Sequence, residues 1–417
     1  MRKAGHYLLR LSVVIGALAL ISTSGFGQTF NVPGETTHEV VGLAPGAIVP
    51  DGPFKLRYKT LNLLSAKGKE AVKAQVRGRN TASRAVTVPV WQGAMPVNGP
   101  VQTPFLMVGR TPVRGGTTVI PAQLLPIAVV FEGTTDPATG GPIKLAFDAQ
   151  TLGLLIQGPD FAKAPYGTGT TQFADAVQRA EFFPVERPTW HTLIRPSQLL
   201  GEVAIYVPDS VAGTPIYQMY QTSDKTYFAT LDYNFFVSQL DTIFQLEKTN
   251  PRALLILLVR NLGLTQSGQC CVGGFHGAYE FSRGNTVFVQ TFAYATWMDP
   301  GVGQAAYGNP SFADILPLSH EISEWLNDPV GSNEVEPPWE YPNSSNCQDN
   351  LEVADPIEYF PADQVAFPVT LNSYTYHPQN VALYQWFSQE TPSSAIDKAY
   401  SYPDESVLTA PSVSCPP

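Results

Sequence analysis

The alternation of apolar and polar positions changes character about a third of the way along the chain. In the first part, apolar residues come in short runs broken by Pro and Gly, as in 54–59 and 85–90, which is typical of strands joined by tight turns. After a turn-rich stretch at 158–171, segments of helical and of strand periodicity alternate. The helical candidates are 172–181 and 235–245, and the strand candidates are 203–207, 253–259 and 286–291.

This pattern predicts an α+β protein with two domains. Residues 28–160 would form a β-sandwich-like N-terminal domain, and residues 161–417 a mixed α/β domain. A chain of 417 residues exceeds the usual size of a single hydrophobic core. The 37 prolines, the 34 glycines and the low charged fraction of 14% suit a β-rich protein more than a helical one.

The most informative helical pattern lies at 315–328. At about 100° per residue, the apolar positions fall on one face and the polar positions on the opposite arc. We expect the apolar face to pack and the polar arc to be available for chemistry. The apolar set is Ile315, Leu318, Ile322, Trp325 and Leu326, and the polar set is His320, Glu321, Glu324, Asn327 and Asp328.

The polar arc has the spacing of a helical metal site. His320 and Glu324 are i,i+4 neighbours that can bind one cation, and Glu321 can reach a bound water as general base, as in H-E-x-x-H zinc helices. Glu324 stands where those helices have a second histidine. Because a carboxylate is a harder ligand, the site would favour zinc less strongly. The alternative is a solvated acidic face, which short motifs often turn out to be.

The charge around this helix favours the metal interpretation. From Gly284 to Asp397 there is no Lys or Arg, yet the stretch is rich in Asp and Glu. Carboxylates without counter-charges repel one another unless cations or water relieve the repulsion. A well-hydrated acidic surface is the alternative.

A third protein ligand is expected from the segment 351–356, which follows the helix. Asp355 is the first choice and Glu352 the second, because zinc sites often take a later carboxylate as ligand. The alternative for Asp355 is a turn residue that caps the backbone before Pro356. His276 is a further candidate, since the glycines around it would let the backbone approach a site closely; a hydrogen-bonded loop histidine is its alternative.

The N-terminus indicates export. Arg2, Lys3 and Arg10 precede the apolar run 11–21, which small residues follow, and this is the order of a secretory signal peptide. We predict a signal peptide at 1–27 and a secreted or periplasmic protein. No later run is long and apolar enough for a transmembrane anchor, and an uncleaved N-terminal anchor is the alternative.

The net charge argues against a nucleic-acid partner. It is −10 for the whole chain and becomes more negative once the basic N-terminal residues are removed, so the phosphate backbone would be repelled. A basic cluster at 55–84 is a local exception. We expect that cluster to be solvated or to pair with the acidic half of the chain.

The four cysteines of an exported chain predict disulfides. A bond between the adjacent Cys270 and Cys271 would be strained. A bond from Cys347 to one of them would tie the acidic loop to the segment that carries His276. The Cys347–Cys415 pairing is nearly as well supported, because Cys415 lies in a proline-rich tail that needs an anchor.

Residues 320–329 resemble the H-E-L-x-E-A-x-T-D-P motif of secreted bacterial and fungal zincin-like proteins, some of them related to the plant phosphate-induced (exordium-like) family. In those proteins a Cys-Gly-x-His segment precedes the helix and a Glu-Ile-x-Asp segment follows it; here 271–276 and 352–355 stand in the corresponding order. The resemblance covers residues 253–384, and the departures from it are Trp325, Asn327 and a longer acidic insert at 331–350. It implies a zincin-like fold for 161–417.

Two functions are compatible with these residues. The first is a secreted zinc-dependent peptidase-like hydrolase, in which His320, Glu324 and Asp355 or Glu352 hold Zn²⁺ and Glu321 activates the water that attacks a peptide or protein substrate. The second is a non-catalytic extracellular binding or structural protein whose cation stabilises the fold. In that case Ca²⁺ would serve as well as Zn²⁺, because acidic loops supply the oxygen ligands that Ca²⁺ prefers.

Overall fold

The chain folds into a mixed β-sheet flanked by helices. The computed structural model describes residues 28–29, 39–42, 57–76, 85–96, 102–246 and 249–415. The strands in chain order are β1 (Gln28–Thr29), β2 (Glu39–Gly42), β3 (Arg57–Leu63), β4 (Ala85–Val86), β5 (Val90–Pro96), β6 (Gln102–Val108), β7 (Thr117–Thr135), β8 (Pro142–Leu145), β9 (Ala164–Tyr166), β10 (Gly169–Thr171), β11 (His191–Leu199), β12 (Val203–Val207) and β13 (Ser210–Val211). They continue with β14 (Thr214–Pro215), β15 (Tyr217–Gln221), β16 (Tyr227–Asp232), β17 (Leu254–Arg260), β18 (Leu262–Gln266), β19 (Gln269–Arg283), β20 (Thr286–Trp297), β21 (Glu334–Glu340), β22 (Cys347–Asn350), β23 (Val369–Leu371), β24 (Tyr374–Tyr376), β25 (Val381–Ala382) and β26 (Ser401–Tyr402). The α-helices are α1 (Ala66–Val76), α2 (Ala149–Gln157), α3 (Phe173–Glu181), α4 (Tyr233–Leu246), α5 (Leu316–Asn327), α6 (Ala362–Val365) and α7 (Tyr384–Phe387).

One large sheet joins the two halves of the chain. Within the described ranges, fourteen strands belong to it, with the main order β1-β2-β15-β16-β18-β19-β20-β17-β7-β11. β17 runs parallel to both β20 and β7, whereas β19 runs antiparallel to β20. Strand β7 lies between β17 and β11, so residues on both sides of the predicted boundary at 160 share this sheet. The α+β class is confirmed, and a separate β-sandwich-like domain at 28–160 is not.

The central strands are apolar throughout because both of their faces are covered. On β17, Leu255, Leu257 and Val259 belong to a core that also contains side chains of α4, while the alternate Leu254, Ile256 and Leu258 pack with α5. Buried parallel strands characteristically lack the alternation of apolar and polar residues seen in half-exposed strands. The candidate site residues His320, Glu321 and Glu324 belong to α5 and therefore lie on this side of the sheet.

Most of the predicted elements in the second half are confirmed, with shifted ends. The helix expected at 172–181 is α3, that at 235–245 is α4, and the strands expected at 203–207, 253–259 and 286–291 are β12, β17 and the start of β20. In the first half, the strand expected at 85–90 is divided into β4 and β5. Of the strand expected at 54–59, the described part belongs to β3.

The disulfides differ from the first pairing considered. Cys347 is bonded to Cys415, and Cys270 to Cys271. The predicted bridge from Cys347 to Cys270 or Cys271 is therefore wrong, and the alternative Cys347–Cys415 is confirmed. The reason is local: the backbone N–H of Cys415 donates to the carbonyl of Pro338 at 2.9 Å, so the tail runs beside β21, the partner strand of β22 on which Cys347 lies.

No helix in the described part of the chain is long and apolar enough to cross a membrane. The predicted signal peptide, 1–27, lies outside the described residues.

Candidate metal centre

Helix α5 is buried on every side, including its polar arc. It packs on β19 and β20, and the exposed fractions of His320, Glu321 and Glu324 are 0%, 0% and 1%. The alternative of a solvated acidic face is therefore wrong. The polar arc is covered because it faces β19 on one side and the segments around Ala354 and Gln379 on the other.

The first group of possible ligands consists of His320, Glu324 and Asp355. Nε2 of His320 lies 2.9 Å from Oε1 of Glu324 and 3.4 Å from Oδ1 of Asp355, and the ligand atoms of all three lie within 4.8 Å of one another. Tetrahedral ligands at ordinary zinc distances are roughly 3.3 Å apart, so one ion fits between them. Glu352, the second choice for the third ligand, lies elsewhere: its Oε2 is 3.7 Å from Nε2 of His276.

Hydrogen bonds fix the orientation of the His320 ring. The side-chain amide of Gln379 donates from Nε2 to the carbonyl of Ala354 at 2.7 Å, which directs its Oε1 toward Nδ1 of His320 at 3.1 Å. Because an amide oxygen only accepts, Nδ1 carries a proton, and in the neutral ring Nε2 has the lone pair. Nε2 faces two carboxylate oxygens. Burial opposes protonation of the ring, but Glu324 and Asp355 outweigh it and raise the pKa of His320, so a proton or a metal ion can occupy this position.

A second group lies beside the first and shares one residue with it. His276, on β19, has Nδ1 at 3.3 Å from Oε2 of Glu321 and 3.5 Å from Oε2 of Glu324, and these ligand atoms also lie within 4.8 Å of one another. The other nitrogen, Nε2, donates to the backbone carbonyl of Asp328 at 3.0 Å. The two alternatives for His276 were a residue of the site and a hydrogen-bonded loop histidine. His276 lies in strand β19 and contacts the cluster.

Glu321 packs directly on the backbone of β19. A Cβ atom placed on Gly274 would be 2.5 Å from Oε1 of Glu321, 2.7 Å from its Cγ and 3.0 Å from its Cδ. Among the described residues, Oε1 has no hydrogen-bond partner. The glycine therefore provides the space that brings this carboxylate into the cluster, which is the close approach expected of the glycine-rich segment.

The cluster carries an excess of carboxyl groups. Five of them are at most 5% exposed, against two buried imidazoles. Burial raises the pKa of Glu321 to about 8 and that of Asp328 to about 6, and burial also raises the pKa of Glu352. For Glu324, burial opposes ionisation, but the two histidines outweigh it and lower its pKa to about 2. The carboxyl groups are Glu321, Glu324, Asp328, Glu352 and Asp355.

Further polar groups hold the surrounding segments in place. The hydroxyl of Tyr341 donates to Oδ2 of Asp355 at 2.9 Å. The carboxylate of Asp328 accepts the backbone N–H groups of Ser332 and Asn333 at 2.8 and 2.9 Å, which fixes the turn after α5. Sequence reasoning did not identify Gln379 or Tyr341, because neither belongs to a recognisable motif and Gln379 lies 59 residues beyond His320.

Comparison of the chain with models of known protein families, with characterised proteins and with solved structures finds no match. The resemblance to secreted zincin-like proteins therefore stays a prediction from residues 271–276, 320–329 and 352–355. The molecule itself is an α+β protein with a buried histidine–carboxylate cluster between α5, β19 and the segment that follows β22.

Proposed function

We propose that this protein is a secreted zinc-dependent hydrolase of the peptidase type, with its cation held by His320, Glu324 and Asp355. The observation that carries the proposal is the ring orientation of His320, whose Nε2 lone pair points at oxygens of both acids. An imidazole oriented by a second hydrogen bond is the usual form of a zinc ligand. A histidine nitrogen among the ligands also favours Zn²⁺ over Ca²⁺, because Ca²⁺ prefers ligands that are all oxygen.

In this proposal Glu321 is the general base. Bound zinc supplies a Lewis acid that lowers the pKa of water and polarises a carbonyl. Glu321 follows the ligand His320 directly in sequence, and its Oε1 has no hydrogen-bond partner among the described residues. That oxygen would accept a proton from the attacking water and return it to the leaving amine. The two disulfides support an oxidising, extracellular compartment.

The test is cleavage of an unfolded protein substrate by the zinc-loaded full chain. We expect a chelator to abolish cleavage and added Zn²⁺ to restore it. Glu321→Gln should retain the zinc held by His320, Glu324 and Asp355 and lower kcat by about 10²–10⁴-fold, which is the usual contribution of a general base. Glu202→Gln is the matched control, because Glu202 is half-exposed and pairs with Lys144 on the surface. Equal cleavage by the Glu321 variant, or none by zinc-loaded wild type, refutes the proposal.

A second candidate function is a non-catalytic extracellular protein whose cation stabilises the fold. The observation that favours it is the burial of the site, since the proposed ligands His320, Glu324 and Asp355 are at most 5% exposed and a substrate needs access. Elemental analysis separates the two functions. Calcium without zinc supports the stabilising role, whereas stoichiometric zinc that is lost in His320→Ala supports the hydrolase.

A further inference from the structure

We propose that the cluster binds a second divalent cation of the zinc or manganese type, held by His276, Glu321 and Glu324. The carboxylate of Glu324 would bridge the two cations. This inference depends on one part of the proposed function, namely that the first cation is bound by His320, Glu324 and Asp355.

The geometry of the second group matches that of the first. Nδ1 of His276 lies 3.3 and 3.5 Å from oxygens of Glu321 and Glu324, and ligands around a zinc-sized ion are roughly 3.3 Å apart. Glu324 uses a different oxygen in each group, Oε1 toward His320 and Oε2 toward His276. A carboxylate that offers one oxygen to each side is the arrangement that bridges a pair of metal ions about 3.5–4 Å apart.

The hydrogen bond of the His276 ring leaves the ligating nitrogen available. Its Nε2 lies 3.0 Å from the carbonyl oxygen of Asp328, which can only accept, so Nε2 carries a proton. In the neutral ring, which is the form that binds a metal ion, Nδ1 is then the nitrogen with a lone pair, and it is the one that faces the carboxylates. Metal-binding histidines typically donate their other N–H to a carbonyl or carboxylate, and His320 repeats this pattern with Gln379.

The number of buried carboxyl groups is consistent with a second cation. Five carboxyl groups are buried beside only two imidazoles, and a bound cation favours the ionised form of carboxyl groups that burial would otherwise keep protonated. Isolated charges are costly in a protein interior. Glu321 is one of these carboxyl groups: its Oε2 lies 3.3 Å from Nδ1 of His276, and its buried Oε1 has no hydrogen-bond partner among the described residues.

The second cation defines two roles for Glu321. Its Oε2, the oxygen nearer His276, would bind the cation. Its Oε1 would stay available for the proton of the attacking water, so the residue can be both ligand and general base.

The experiment is metal stoichiometry of the full chain, stripped with a chelator and reloaded with Mn²⁺ or Zn²⁺. We expect two ions per chain in wild type and one in His276→Asn. His191→Asn is the matched control, because His191 also pairs with a carboxylate, Asp175 at 2.7 Å, but outside the cluster; it should retain two. A wild-type stoichiometry of one, or a second ion that His276→Asn leaves in place, overturns the inference.

Electron paramagnetic resonance of the Mn²⁺-loaded wild type tests the same point without a variant. Two ions bridged by Glu324 should give a spin-coupled spectrum at two equivalents, and two uncoupled ions would refute the bridge. The result is separable from the proposed function. If the chain binds a coupled pair of ions but cleaves nothing, the second cation is supported and the hydrolase is refuted. If the chain cleaves with one ion bound, the hydrolase is supported and the second cation is refuted.

Discussion

Replacing Gly274 by alanine should destabilise the protein and disturb the proposed metal centre, although the change adds a single methyl group. The backbone of β19 at this position is compatible with alanine, because Gly274 does not have a positive φ. The effect must therefore come from the new Cβ. All three heavy atoms nearest to it belong to Glu321, at 2.5, 2.7 and 3.0 Å.

The size of the effect follows from these distances. Real Cβ atoms do not approach heavy atoms this closely, so the Glu321 side chain or the whole of α5 must shift, and overpacking of a buried site typically costs about 1–3 kcal/mol. Alanine also restricts the unfolded chain, which offsets about 0.4–1 kcal/mol. We expect a net loss of about 1–2 kcal/mol in the free energy of unfolding, together with weaker metal binding.

Urea denaturation of the metal-free chain measures the first effect, and competition with a chelator measures the second. Gly201→Ala is the control, since Gly201 has no positive φ and a Cβ atom added there would meet nothing within 4 Å; it should raise the free energy of unfolding by about 0.4–1 kcal/mol. In a Glu321→Ala background the clashing atoms are gone, so the penalty of Gly274→Ala should disappear. A Gly274→Ala protein as stable as wild type, or a penalty that persists without Glu321, would refute the reasoning.

Three further predictions concern the support of the site. Gln379→Leu should lower metal affinity by about 10–100-fold, as loss of a partner behind a ligating histidine usually does, in a chelator competition in which the exposed Gln157→Leu has no effect. Ser319→Ala should cost about 1–3 kcal/mol in urea denaturation, because the buried N–H of Gln379 loses its acceptor at 2.9 Å; Ser323→Ala, on the same helix, should be near neutral, since its hydroxyl donates back to a helix carbonyl. Replacing Cys347 and Cys415 by serine should lower the free energy of unfolding by about 4 kcal/mol, by the chain-entropy relation for a loop of this length, and a calorimetric loss under about 1 kcal/mol would contradict that relation.

The fold was predictable where a single segment decides its own structure. The runs that became β12 and β17 are continuous and apolar, and α3 and α4 have helical periodicity, so local pattern sufficed. Strand β7 was not recognised, because Pro121 and Pro126 interrupt its apolar run and prolines usually exclude a central strand. Its neighbours β11 and β17 lie far along the chain, and no local signal shows that pairing.

The site was predictable in its residues but not in its surroundings. The i,i+4 spacing placed His320 and Glu324 together, and Asp355 is the carboxylate that lies with them. The same spacing could not tell whether the polar face of α5 meets water or protein, because that depends on which segments fold over it. Gln379 illustrates the limit: it fixes the His320 ring across 59 residues of sequence, and a glutamine in that position has no distinguishing pattern.

The Cys347–Cys415 bond closes a covalent ring that contains Asp355 and Gln379. A single cut in the backbone within that ring leaves both pieces attached to each other. The turn at Thr391 and Pro392 is exposed, and exposed turns are where proteases act first. A molecule nicked there would keep the segment that carries Asp355 tied to its own C-terminus, and the two fragments would separate on a gel only after reduction.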